Sequence, residues 1–281
     1  MSQNTRGVVR ITAWYVWIAI IVGSALFPLY WVINCSFQSP IEIFETHLLP
    51  PSPTLEAYQA SIVGQAGRSG LPIAASNTIV VATSAMVLSV CLGIMGGYAL
   101  SRLRWRWAPW VLGALLVTQL IPPLTDLIPI FIVYDRLGLV NTKLGLCLAY
   151  TAWLSPITVW IIRSYFMSLP VELEEAATID GCSRAGALLR IVLPLALPGI
   201  GSAAIFVFMS SFNEFFFAVI FTQTSQAKTI PVFLSEQVGK FTINYANMSA
   251  SLTLSIIIPV VLALALQRFF VKGLTAGAVK G

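Results

Sequence analysis

The chain has 281 residues, 57% of them hydrophobic and only 10% charged, with a mean hydropathy of +0.85 and a net charge of +5. Soluble domains carry about 25% charged residues, so this composition excludes a water-exposed surface over most of the molecule. No Lys/Arg cluster stands on a soluble domain, which argues against nucleic acid as the meaning of the basic charge. The single histidine, His47, leaves no zinc set and no Ser-His-Asp triad, and Cys35, Cys91, Cys147 and Cys182 show no paired spacing.

Apolar stretches long enough to cross about 30 Å of hydrocarbon occur six times. They predict spans over residues 12–34, 76–100, 109–134, 145–163, 195–221 and 248–270. The first is longer than the apolar core of a secretory signal, typically about 7–15 residues, and reads as an uncleaved anchor. Between the first two spans, residues 35–75 form an external loop with Pro40, Pro50, Pro51, Pro53, Glu42, Glu45 and Glu56. This loop, like residues 222–247, reads equally as plain connection or as a docking surface for an external partner.

Orientation follows from Lys and Arg. With the N-terminus inside, Arg6, Arg10, Arg102, Arg104, Arg106, Arg163, Arg184, Arg190, Arg268, Lys272 and Lys280 are cytoplasmic. Only Arg68, Arg136, Lys143, Lys228 and Lys240 are then external. The positive-inside rule therefore places both termini in the cytoplasm.

Within the third span Pro122, Pro123 and Pro129 interrupt the helical hydrogen bonding, and Asp126 is an acid in apolar sequence. Glu214 is its counterpart in the fifth span. Counting 1.5 Å per residue along straight helices puts the two acids at similar depth, with Gln119, Thr125 and Asn213 nearby in sequence. An intramembrane acid faces protein or water, so Asp126, Asn213, Glu214 and Gln119 are candidates for a wet translocation path. The competing reading pairs each acid with a cation or backbone group at the outer interface. The rings of Trp153, Phe206, Phe208, Phe212, Phe215, Phe216 and Phe217 suit sugar stacking, but more simply suit packing.

Between the fourth and fifth spans the cytoplasmic residues 164–194 break the apolar pattern. Ser168 can cap a helix over Val171–Ile179 with Pro170 and Glu172 in its first turn. Asp180-Gly181 ends that helix, since Gly accepts the left-handed conformation. A second helix runs from Ser183 to about Val192, held by Leu188, Leu189 and Val192, until Pro194 breaks it. Ala176 and Ala177 leave a low surface for another backbone. Composition alone favours an amphipathic hairpin lying on the membrane surface.

The pattern is Glu175-Ala176-Ala177, then Asp180-Gly181, nine further residues, and Ile191, Leu193 and Pro194. It resembles the coupling loop of permease subunits of binding-protein-dependent ABC importers, over roughly residues 76–281. Phe212-Asn213-Glu214-Phe215 and the ending Gly277-Ala278-Val279-Lys280-Gly281 are similar to the carbohydrate-uptake, maltose permease-like group. The resemblance implies an all-α integral membrane protein with six transmembrane helices and the ABC importer permease fold. Residues 1–11 would be a cytoplasmic N-terminus, 12–270 the permease domain and 271–281 a cytoplasmic tail.

The same resemblance implies that Glu175, Ala176, Ala177, Asp180, Gly181, Ile191, Leu193 and Pro194 engage an ATPase, with Gly277 and Lys280 of the tail touching it. It implies four partners: a second permease subunit, commonly a different chain, two ATPase subunits and an extracytoplasmic sugar-binding protein. This chain is not an enzyme on that reading. It has no phosphate-binding Gly-rich loop, so ATP and Mg would sit on the partner ATPase and no cofactor on this chain. The cargo implied is a sugar, such as an oligosaccharide, disaccharide or related polyol or glycoside, carried across a bacterial inner membrane. Alternatives are an ABC importer of a polyamine, phosphate or amino acid, or an ion-coupled secondary transporter using Asp126 and Glu214.

Overall fold

In a computed structural model the chain is built from helices and short connections, and the structure describes residues 3–64, 70–103, 105–238 and 244–278. Twelve α-helices occur among the described residues: α1 Gln3–Ser36, α2 Glu56–Val63, α3 Leu71–Arg102, α4 Ala108–Val117, α5 Pro123–Arg136, α6 Lys143–Ser168, α7 Glu172–Ile179, α8 Arg184–Ala187, α9 Leu193–Phe212, α10 Phe216–Phe221, α11 Ile230–Ser235 and α12 Tyr245–Ala278. Five segments are long and apolar enough to cross a membrane: Ile11–Ser36, Leu71–Arg102, Lys143–Ser168, Arg184–Phe212 and Tyr245–Leu262. A sixth would be the pair α4–α5, bent by 95°.

The break expected at Pro122 and Pro123 is there, though not one at Pro129, which lies inside α5; the 95° bend overturns the straight span used to count depth. A residue before proline is pushed out of the helical region. Ile121 is extended (φ −77°, ψ 121°) and Pro122 follows it (ψ 131°), so the helix stops after the 3₁₀ turn Thr118–Leu120. Pro123 then starts α5 at a position where a missing N–H costs nothing. Gln119, in the 3₁₀ turn, donates its side-chain amide to the Trp153 carbonyl of α6 at 2.9 Å. The fifth span is interrupted as well, at residues 213–215 between α9 and α10.

Residues 72–233 with 258–281 form one unit and residues 1–71 with 234–257 another. In the first, α6 is the central helix: Leu146, Tyr150, Leu154, Thr158, Ile162 and Phe166 are almost fully buried. Its neighbours approach through small residues, the usual route to close packing where lipid removes the hydrophobic drive. A Cβ on Gly93 of α3 would come within 2.8 Å of Thr158 and Ile162, and one on Gly97 within 3.0 Å of the Arg163 backbone. Gly199 of α9 lies on the ring of Tyr165, where a Cβ would overlap Cγ and both Cδ atoms.

The opposite end of this unit is fastened by side chains. Asn141, in the left-handed region (φ 59°), accepts from the N–H groups of Gln223 and Thr224 at 3.0 and 2.9 Å. Asn77 donates to the carbonyls of Ser225 and Lys228, both at 2.9 Å, and Thr78 accepts from Ile230 N–H at 2.8 Å. Three polar side chains thus hold the connection from α10 to α11. In the second unit α2 packs on α12 through Ala57, Ala246 and Ala250, with Ser61 donating to the Asn247 carbonyl at 3.3 Å and accepting from Ser251 at 2.9 Å.

Gly199→Val is expected to destabilise the α6–α9 contact by about 1–3 kcal/mol, the usual cost of overpacking. A thermal-unfolding scan of the purified chain in detergent should show a midpoint lowered by several degrees. Gly113→Ala, where a Cβ meets nothing within 4 Å, should leave it unchanged.

Candidate functional site

The loop after α6 is assembled from two short helices and the turn between them. α6 ends at Ser168, whose hydroxyl donates back to the Tyr165 carbonyl at 2.7 Å. Ser168 therefore does not cap α7, as the sequence suggested: Leu169 is extended before Pro170, and the cap position falls to Val171, which offers no side-chain acceptor. Three acids, Glu172, Glu174 and Glu175, occupy the first turn of α7 and suit the positive end of its dipole.

Asp180-Gly181 ends α7 as expected. Gly181 has φ +85°, its N–H bonds to the Thr178 carbonyl at 3.1 Å, and Cys182 N–H bonds to the Ala177 carbonyl at 2.9 Å. This pair of bonds is the Schellman arrangement, which requires a residue tolerant of positive φ. Ser183 then caps α8, accepting from Gly186 N–H at 3.1 Å.

The second helix does not stop at Pro194. α8 runs through a π-helical turn, Leu188–Val192, directly into α9, and Pro194 lies in the first turn of α9. Leu193 N–H reaches five residues back to Leu188. Proline lacks the N–H that would pair four residues back and its ring crowds that carbonyl; the wider turn relieves both, so the helix continues.

A buried carboxylate ties the loop to α3. Glu174 receives Arg102 Nε on one oxygen and the Tyr98 hydroxyl on the other at 2.9 Å, while Arg102 also donates to the Leu169 carbonyl at 3.1 Å. The sequence reading counted Arg102 only as a topological charge and passed over Glu174 and Tyr98. The pair is separated by 72 residues, so no local pattern joins an acid of α7 to an arginine at the end of α3.

Tethered in this way, the loop presents Glu175, Ala176, Asp180 and Gly181 to solvent, whereas Ala177 is buried. The low surface expected of Ala176 and Ala177 is thus Ala176 alone. Leu188 and Val192 pack into the core around Ile162 and Phe166, but Leu189 points outward at 63% exposure and does not help to hold the helix. Ile179, not singled out in the sequence, is the most exposed apolar side chain of the loop at 86%. Ile191 and Leu193 are half-buried, and Pro194 is exposed. A groove of about 910 Å³ runs beside the tether, lined by Tyr98, Arg102, Trp105, Glu174, Ile179 and Arg184 among others.

The four candidate path residues separate. Asp126 is exposed in the first turn of α5, and Asn213 is exposed after α9 with its amide donating to the Met209 carbonyl at 2.8 Å. Gln119 is half-buried on Trp153. Glu214 is buried and caps α10, accepting from Phe217 N–H at 3.0 Å and Ala218 N–H at 3.2 Å. The equal depth expected for the two acids assumed straight helices; both spans are broken, so that count does not apply. Of the tail, Gly277 falls in the last turn of α12, and Lys280 lies outside the described residues, as do Arg68, Arg104 and Lys240.

Residues 62–276 match the family described as the binding-protein-dependent transport system inner membrane component. The chain is 34% identical over 271 residues to a trehalose/maltose transport system permease protein of Thermococcus litoralis, covering 94% of this chain and 97% of that one. It is 32% identical to the trehalose transport system permease protein of Mycobacterium tuberculosis, covering 98% and 100%. The sulfoquinovosyl glycerol transport system permease protein of Agrobacterium fabrum is likewise 32% identical, covering 94% and 92%. In fold it is similar to a chain of a bacterial ABC transporter involved in the import of the acidic polysaccharide alginate, with a TM-score of 0.79 at 22% identity over 96% of this chain and 99% of that one.

Removing one member of a buried ion pair costs about 3 kcal/mol or more. Glu174→Ala is therefore expected to release α7 and α8 from α3, read as at least tenfold faster amide hydrogen exchange over residues 171–187. Arg102→Ala should do the same, and the double variant should add little to either. Fully additive effects of the two changes would show that the tether is not what holds the loop.

Proposed function

The chain belongs to the binding-protein-dependent transport system inner membrane components, and on that premise we propose that it is one of two permease subunits of an ATP-driven importer that carries a sugar into the cytoplasm. The observation that carries this reading is the loop itself: an exposed, Gly181-hinged helix pair rooted in α6 and α9 and tied to α3 by Glu174. Such a loop is built to pass on the movement of a partner, because its tip is free while its base is fixed to three membrane helices. The sugar is supported by the near full-length likeness to permeases named for trehalose and maltose. A polyamine, phosphate or amino-acid cargo has no such support.

On this reading six spans, counting the bent pair as one, place both termini and the loop in the cytoplasm, in keeping with eleven basic residues inside and five outside. The second permease is a different chain. Two ATPase subunits bind ATP and Mg, and an external binding protein delivers the sugar. Glu175, Ala176, Asp180 and Gly181 meet the ATPase, with Ile179 inserted beside them, and Ala177 supports them from beneath. Ile191, Leu193 and Pro194 join the moving helix to the span. The tail, through Gly277 and Lys280, also contacts the ATPase.

Closure of the ATPases on ATP draws the loops together, α9 follows through the π turn, and the path opens outward to receive sugar. Hydrolysis reverses the change. ATP shifts this equilibrium only by binding the two states unequally. Asp126, Asn213 and Gln119 line the path, and Glu214 shapes it by holding the start of α10.

Affinity purification from native membranes is expected to recover an ATPase and a second permease with this chain. Gly181→Val should lose more than tenfold in sugar uptake, since a β-branched residue resists φ +85°, while the complex still assembles. Recovery of the chain alone after crosslinking at Glu175 would overturn the reading.

A further inference from the structure

The bend in the third span has an electrostatic consequence. It exposes the first turn of α5, and with it the carboxylate of Asp126. Among the described residues Asp126 forms no ion pair. It lies beside the positive end of the α5 dipole. A bare carboxylate is costly against lipid tails, which favours water or protein on this side of α5.

The neighbouring charges do not cancel it. No Lys or Arg occurs inside α4, α9 or α10, and Arg136 stands at the far end of α5. Ten residues separate Asp126 from Arg136, about 15 Å of helix, too far for an ion pair. Lys143 begins α6 beyond that turn. Arg163 is committed to the Leu100 carbonyl at 3.3 Å, towards the loop end of α6. The other acid, Glu214, is buried and accepts from the Phe217 and Ala218 N–H groups. Asn213, exposed, lies just before the segment whose Phe215 and Phe217 pack with Leu127 in one core cluster. The cluster therefore links the elements carrying Asp126 and Asn213.

We infer that Asp126 is a charge-selecting residue of the path: it admits neutral or amino sugars and repels anionic ones such as uronic acids. The inference rests on the importer reading above and narrows its cargo. A carboxylate accepts hydrogen bonds from sugar hydroxyls and ammonium groups at no electrostatic penalty. A second carboxylate brought within a few ångströms in a low-dielectric path is strongly disfavoured.

The test reads the local potential without knowing the sugar. In the assembled complex, with Cys35, Cys91, Cys147 and Cys182 replaced by serine or alanine, Asn213→Cys is treated with a cationic and an anionic methanethiosulfonate. The ratio of their rates is divided by that for a small free thiol. A normalised ratio of about fivefold or more is expected beside negative charge, falling several-fold with Asp126→Asn and further with Asp126→Lys. A ratio that ignores residue 126 overturns the proposal, including the case in which a cation of the second permease neutralises Asp126. In the reconstituted importer, neutral or amino disaccharides should stimulate ATP hydrolysis; stimulation by a digalacturonate equal to theirs also overturns it. The importer reading fails separately, at the co-purification step, because the change in the thiol ratio on replacing Asp126 does not require the ATPase or the sugar.

Discussion

Glu174 spends both carboxylate oxygens inside the molecule, one on Arg102 and one on Tyr98. Everything the loop presents depends on that choice. In the first turn of α7 the acid one residue on, Glu175, is exposed, so two adjacent glutamates do opposite work: one fixes the helix, the other faces outward. Charges out of water need a partner or they destabilise the fold. Here the partner is an arginine at the last turn of α3, where the chain leaves the apolar region, so the tether also fixes the height of the loop on the bundle.

The tether gains rigidity from the packing beneath it. Gly93 and Gly97 let α3 lie against α6, and Gly199 lets α9 lie on Tyr165 of the same helix. With α3, α6 and α9 in close contact, α7 and α8 are anchored at three points: the end of α6, the start of α9 and Arg102. Movement of the tip then has to move helices, since no slack segment remains between Leu169 and Leu193 to absorb it. The Schellman turn at Gly181 closes the tip with backbone bonds and needs no outside support.

Much of this was legible in the sequence because it is local. The end of α7 at Asp180-Gly181, the start of α8 after Ser183 and the interruption around Pro122-Pro123 each follow from the conformational limits of one or two residues. The five apolar helices of membrane-spanning length, and the apolar character of the bent pair α4–α5, follow from hydropathy. Other features were hidden because they are decided by distant atoms or by a balance between two local effects. Glu174 and Arg102 are far apart in the chain, and Glu214 reads as an intramembrane charge until its own following N–H groups are seen to hold it. Leu189 fits an apolar stripe but loses its place when the π turn rotates the helix. Ser168 would make a good cap, yet its hydroxyl is already bonded to Tyr165.

That π turn over Leu188–Val192 bears on how chain length can vary. A π turn is an α-helix with one residue too many, so the helices on either side keep their faces while the surplus is held at one place. Deleting a residue elsewhere in α9 would swing its buried side by about 100°, turning Ala196 and Ala203 away from Ile162 and Phe166. Deleting one within the turn would leave those faces aligned but set Pro194 against an ordinary α-helical carbonyl. The surplus residue and the proline are therefore a matched pair: a lineage that lost either one would be pressed to lose the other.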